Sequence, residues 1–154
     1  ELYLYLYSLG GDRQLAEDLL HETFLKALLA LPDGHTNMRA WLYMVARNLF
    51  YNDQKRRKKE ILFGEQNTFP EEKEDADFLE KIIEEENRRK LYQATCRLEL
   101  RKREIIQMQY FGEMSQKEIA AVLHITPENV RVLGYRAKKE LKRYMGKYEA
   151  ERRK

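Results

Sequence analysis

Residues 115–144 read SQKEIAAVLHITPENVRVLGYRAKKELKRY, two helical periods separated by a short turn. Ser115 and Glu118 stand at the spacing of a capping box, in which each side chain satisfies an orphaned backbone donor, so a helix starts here. Ile119, Ala120 and Leu123 then recur at helical spacing, and the small Ala120 lets a second helix cross closely. A turn falls at His124-Ile125. Its backbone is often left-handed, and His tolerates that better than most residues other than glycine. Thr126 as N-cap and Pro127 at the first helical position open the next helix. Val130, Leu133 and Ala137 face inward there, and Leu141 continues the stripe. The other faces carry Asn129, Arg131, Arg136, Lys138, Lys139, Lys142 and Arg143. Apart from the Asn amide these are pure donors, suited to phosphate oxygens and guanine edges. A DNA-docking helix-turn-helix is the favoured reading, against a plain amphipathic pair with a solvated basic face.

The surrounding composition sharpens that reading. Of 154 residues, 36% are charged, yet the net charge is only +3. Distribution matters more than the total: Arg47 and Lys55 to Lys59 form one basic block, the last helix forms another, and Glu65 to Glu86 is heavily acidic. The single Cys96 excludes a disulfide within the chain, and with His21, His35 and His124 far apart no metal-ligand pattern arises. Cys96 is expected as a small buried hydrophobe. No signal peptide and no apolar run of membrane-spanning length stands out, so a soluble, intracellular protein without membrane insertion is expected. No glycine-rich phosphate loop, nucleophile elbow or His-Glu-x-x-His is present, so neither catalytic residues nor a cofactor are expected.

Along the chain, the pattern is all-α: two small helical domains joined by an acidic flexible linker. Leu2 to Tyr7 alternates with period two, formally a strand signal, but no second strand pattern exists to pair with it, so a helix apolar all round is expected. Gly10-Gly11 ends it, and Asp12 caps a second helix with Leu15, Leu19, Leu20, Phe24, Ala27, Leu28 and Leu31 as its inner stripe. Pro32-Asp33-Gly34 breaks that helix. Thr36 or Asn37 caps a third, with Trp41, Leu42, Val45, Ala46, Leu49 and Phe50 inside. These three helices make a first domain over 1–60. Gly64, Pro70 and the acids of 71–77 mark a linker over 61–84, although Phe78, Leu79, Ile82 and Ile83 hint at helix. A four-helix second domain spans 85–154, with Ile105, Ile106 and Met108 packed beneath the helix-turn-helix.

Several runs resemble one family. Ala16-Glu17-Asp18-Leu19, Glu22-Thr23-Phe24, Ala40-Trp41-Leu42-Tyr43 and Ala46-Arg47-Asn48, with Gln109-Tyr110-Phe111, Ser115 to Ala120 and Arg136-Ala137, fall in the order and spacing of the extracytoplasmic-function (ECF) sigma factors of bacterial RNA polymerase. The resemblance covers nearly the whole chain except the linker. It departs at three places: no proline turn precedes the helix of Ile105, Asn52 stands where an acid is frequent, and Val132-Leu133-Gly134 stands where a serine-arginine pair is common.

The resemblance implies a sigma-type initiation factor that binds core RNA polymerase, directs it to promoter DNA and helps open the minus-10 element. Asp18, His21, Glu22 and Lys26 would then meet the polymerase. His35, Thr36, Asn37, Asn48, Tyr51 and Asn52 would hold unpaired minus-10 bases, with Arg47, Lys55, Arg56 and Arg57 on phosphates. At the minus-35 element the contacts would be Ser115, Gln116, Thr126, Pro127, Glu128, Asn129, Arg131, Tyr135, Arg136 and Lys139. A dedicated anti-sigma partner is also implied. Two other classes fit the residues: a conventional helix-turn-helix regulator working without polymerase, and a helical protein-interaction bundle.

Overall fold

The alternating Leu2 to Tyr7 stretch is helical. α1 (Leu2–Gly10) buries Leu2, Leu4, Tyr5, Leu6, Tyr7, Ser8 and Leu9, which is why its sequence lacks a polar face. The computed structural model describes residues 1–30, 37–62, 79 and 81–153, except the side chains of residues 61, 62, 148, 149 and 152. Contacts divide the chain into two units, Glu1–Glu72 and Lys73–Lys154. No strand occurs among the described residues.

In the first unit, Gly11 at φ 67° reverses the chain after α1 and returns its N–H to the Tyr7 carbonyl at 2.8 Å. The Asp12 carboxylate accepts from Leu15 N–H at 3.1 Å and starts α2 (Arg13–Ala30). Asn37 rather than Thr36 is the observed cap of α3 (Met38–Leu62), its Oδ1 accepting from Ala40 N–H at 3.1 Å. Close approach of α1 and α3 occurs at Gly10, where an added Cβ would lie 3.1 Å from Phe50 Cε2. Tyr5 and Tyr43 pack with ring centroids 5.1 Å apart. Buried Ser8 and Thr23 satisfy their hydroxyls within their own helices, donating to Tyr5 and Leu19 carbonyls at 2.6 and 2.7 Å.

Two expectations for this unit are corrected. Along α2 only Leu15, Ala16, Leu19 and Thr23 are buried; Leu20 and Ala27 are half-buried, while Phe24 and Leu28 of the expected inner stripe are exposed. α1 has nine residues, about 14 Å, against 18 residues, about 27 Å, for α2, so the far turns of α2 are left to α3, which also packs on α2 but leaves Phe24 and Leu28 uncovered. On α3 the buried line is Tyr43, Ala46, Phe50 and Asp53, whereas Trp41, Leu42, Val45 and Leu49 are only half-buried. Leu31 lies outside the described residues, as does the Pro32-Asp33-Gly34 break.

In the second unit, α4 (Glu86–Thr95), α5 (Leu100–Ile106), α6 (Gln116–Leu123) and α7 (Pro127–Arg152) enclose a core of Ala94, Leu98, Ile106, Ala137 and Leu141, flanked by Leu91, Tyr144 and Met145. Between α5 and α6 the chain makes a π-helical turn, Gln107–Phe111, which buries Gln107 with its amide on Thr95 Oγ1 at 3.0 Å. Phe111 meets Tyr92 edge-on, 5.9 Å between centroids. Leu79 and Ile83, inside the stretch read as linker, are buried, so part of that stretch packs as core. Arg89 donates to the Ile83 and Glu84 carbonyls at 2.7 and 2.8 Å. Cys96 is half-buried rather than buried, because it sits at the C-terminal end of α4.

Candidate nucleic-acid and polymerase interfaces

The turn between α6 and α7 is built as its sequence dictates. Ser115 Oγ accepts from Glu118 N–H at 3.2 Å, and Glu118 Oε2 accepts from Ser115 N–H at 2.8 Å. His124 adopts φ 56°, ψ 43°, and Ile125 N–H reaches the Ala120 carbonyl at 3.1 Å. Thr126 Oγ1 accepts from Asn129 N–H at 3.2 Å. Ser115 and Thr126 therefore spend acceptor capacity on caps. Val130, Ala137 and Leu141 point into the core, and Leu133 is half-buried.

The opposite face of α7 exposes Pro127, Glu128, Asn129, Arg131, Tyr135, Arg136 and Lys139, with Gln116 exposed on α6. Arg131, Gln116 and Tyr135 line a recess of about 160 Å³ together with Gln109, Val130, Gly134 and Lys138. Gln109 is a lining group that the helical pattern did not place here, and Lys138, read from sequence as part of the basic outer faces, was not among the expected minus-35 contacts. Lys139 Nζ lies 5.0 Å above the Tyr135 ring and Lys138 Nζ 5.7 Å above that of Tyr110. A larger apolar groove, about 490 Å³, lies between Leu91, Tyr110, Leu141, Met145 and Gly146 and is rimmed by Lys138 and Lys142.

On α3, Asn48, Asn52, Lys55 and Arg56 are exposed at helical spacing, whereas Arg47, Tyr51 and Arg57 are half-buried. Arg47 covers one face of Tyr51, its guanidinium 4.6 Å from the centroid, and Phe50 abuts Tyr51 edge-on at 5.3 Å. Asp53 is the residue missed from sequence. It is buried and binds Arg56 at 2.7 Å and Arg57 at 2.9 Å, fixing both guanidiniums on one carboxylate. Its signal was the i, i+3, i+4 acid-to-base spacing inside the basic block. Asn37 is half-buried with its Oδ1 engaged in capping, and His35 and Thr36 lie outside the described residues.

On α2, Asp18, His21, Glu22 and Lys26 are all exposed, and Gln14 donates to Asp18 Oδ1 at 3.0 Å. The apolar part of this surface was not foreseen: Leu28 is 84% and Leu29 79% exposed, with Phe24 and Leu25 near half. Large exposed apolar patches are rare on monomeric proteins. Among the described residues there is no group of three or more His, Cys, Asp or Glu able to hold a metal ion. No described helix is long and apolar enough to cross a membrane.

Residues 1–60 match Sigma-70 region 2, and residues 88–141 match Sigma-70, region 4. The RNA polymerase sigma factor YlaC of Bacillus subtilis is 31% identical over 99% of this chain and 90% of its own length. The chain belongs to the ECF sigma factors of the sigma-70 family. The ECF sigma factor SigM of the same organism is 26% identical over 92% of this chain and 86% of its own length. In fold, the sigma factor RpoE of Bartonella quintana, solved with the anti-sigma factor NepR, gives a TM-score of 0.69 at 22% identity, covering 94% of this chain and 89% of that one. CnrH, solved with the cytosolic domain of CnrY, gives 0.61 at 23% identity, covering 94% and 80%. As a sigma factor, this chain directs RNA polymerase to promoters, and the reading as a regulator independent of polymerase is not favoured.

Proposed function

We propose that the sigma factor divides its work by surface. α2 docks on core polymerase through Asp18, His21, Glu22 and Lys26 together with the apolar Phe24, Leu25, Leu28 and Leu29. α3 holds the opened minus-10 strand through Asn48, Tyr51 and Asn52, with Arg47, Lys55, Arg56 and Arg57 on phosphates, and His35, Thr36 and Asn37 belong to the same site. α7 enters the major groove at minus-35 through Arg131, Tyr135, Arg136 and Lys139. The observation that carries this reading is the outer face of α7, where a capped helix-turn-helix presents cations around a recess large enough for a base edge.

The catalyst in this scheme is the polymerase; the factor itself supplies promoter selection and strand opening in the bacterial cytoplasm. An anti-sigma partner is part of the same reading: the RpoE neighbour was solved with the anti-sigma factor NepR, and CnrH with the cytosolic domain of CnrY. Such a partner would silence the factor by covering the exposed apolar turns of α2. Run-off transcription with purified core polymerase on a promoter library tests the whole reading. The factor should confer start-site choice that core enzyme lacks, and unchanged initiation with and without it overturns the reading.

A further inference from the structure

Where the family commonly carries a serine-arginine pair, this chain has Val132-Leu133-Gly134. Gly134 is buried and Leu133 half-buried, so Val132, 40% exposed, is the side chain of the three that faces outward. At the helical repeat, Val132 lies about 160° around α7 from the buried Val130, Ala137 and Leu141. Its neighbours one turn away are the exposed Glu128, Tyr135 and Arg136. Packing gives no reason for a β-branched apolar residue there, and the helix gains nothing from its stiff χ1. The side chain offers two methyl groups and no hydrogen-bonding atom. In the major groove the one base feature an apolar group reads is the C5-methyl of thymine.

Resting on the reading of α7 as the promoter helix, we propose that Val132 is a specificity-determining residue that selects thymine in the upstream promoter element by methyl-to-methyl contact. Tyr135, 60% exposed and one turn along, walls the contact on one side, with the Lys139 ammonium against its ring. Arg131 and Arg136 supply the polar frame that fixes the helix over the base. A serine there would accept or donate a hydrogen bond and leave the thymine methyl unread.

The test uses holoenzyme assembled from the full chain and core polymerase. A duplex element is first selected from a randomised upstream region, and each thymine is then replaced singly by deoxyuracil, which deletes the methyl and keeps the pairing. One replacement should weaken promoter-complex formation about three- to fivefold with the natural chain, the size of one buried methyl. That sensitivity should vanish with Val132→Ser and persist with Val132→Thr, which keeps one methyl. A selected element without thymine on either strand, insensitivity to every uracil, or equal sensitivity in the serine variant each overturns the assignment. Failure of the underlying reading looks different: scrambling the whole upstream element then changes nothing.

Discussion

Set side by side, α2 and α7 show opposite ways of building an interface. α2 leaves Leu28 and Leu29 almost fully exposed, while α7 tucks Val130, Ala137 and Leu141 away and presents cations. An apolar patch gains affinity by shedding water from both partners, with little dependence on salt. A cationic helix gains it by releasing counterions from phosphate, and loses it steeply as salt rises. On the proposed reading, one small protein carries a surface for a protein partner and another for nucleic acid, distinguished by what each exposes.

The largest effect should come from breaking the apolar side. Leu28→Asp with Leu29→Asp should reduce assembly with core polymerase at least 100-fold, the range of an interface hot spot, while leaving the melting curve unchanged because both side chains are exposed. Co-elution with core enzyme measures it, and normal assembly would remove α2 from the docking surface. On the cationic side, Arg131→Ala should weaken promoter binding about 10- to 100-fold and relax preference at one base pair. Lys142→Ala should instead weaken all sequences alike and flatten the salt slope by about one. Equal behaviour in a salt titration would mean that the faces of α7 are wrongly assigned.

Smaller effects sharpen the contrast in the interiors. The buried Tyr43 hydroxyl has no hydrogen-bond partner among the described residues; in the second unit Gln107 Nε2 donates to Thr95 Oγ1, while Gln107 Oε1 is likewise left without one. Tyr43→Phe should therefore change stability by no more than about 1 kcal/mol, toward stabilisation, in urea unfolding. Burial, then the nearby Glu1 carboxylate, hold this phenol protonated well above its ordinary range. The unfolded chain consequently loses that proton first, so the stability is intact below about pH 10 and falls as pH rises beyond it. The Phe variant should show a shallower decline there. The smallest change is Gly146→Ala on α7, where an added methyl meets open space. It should raise stability by about 0.5–1 kcal/mol through helix propensity.

Caps and turns were readable because they are local. Asp12, Ser115, Thr126 and His124 each act within four residues of their own position, and each does what its side chain allows. The exposed turns of α2 were not readable, since an apolar stripe at helical spacing says nothing of how far the neighbouring helix extends. Asp53 was hidden for a different reason: its burial depends on α3 packing in the first unit, and the surrounding arginines and lysines mask it in composition. Of the candidate site residues, the cations on the outer faces of α7 followed from helical spacing, whereas their assignment to a promoter element came from the family resemblance. Gln109 came into view only through the fold, which lays the π-helical turn beside α7.

Lys138 lines both the recess beside Arg131 and Tyr135 and the apolar groove of Leu91, Tyr110, Leu141 and Met145. Its ammonium carries three N–H donors on one flexible stem, so the two hollows share a single positive charge. An occupant that changes how that charge is held in one hollow changes it in the other, and any such coupling is reciprocal, of the same factor in both directions.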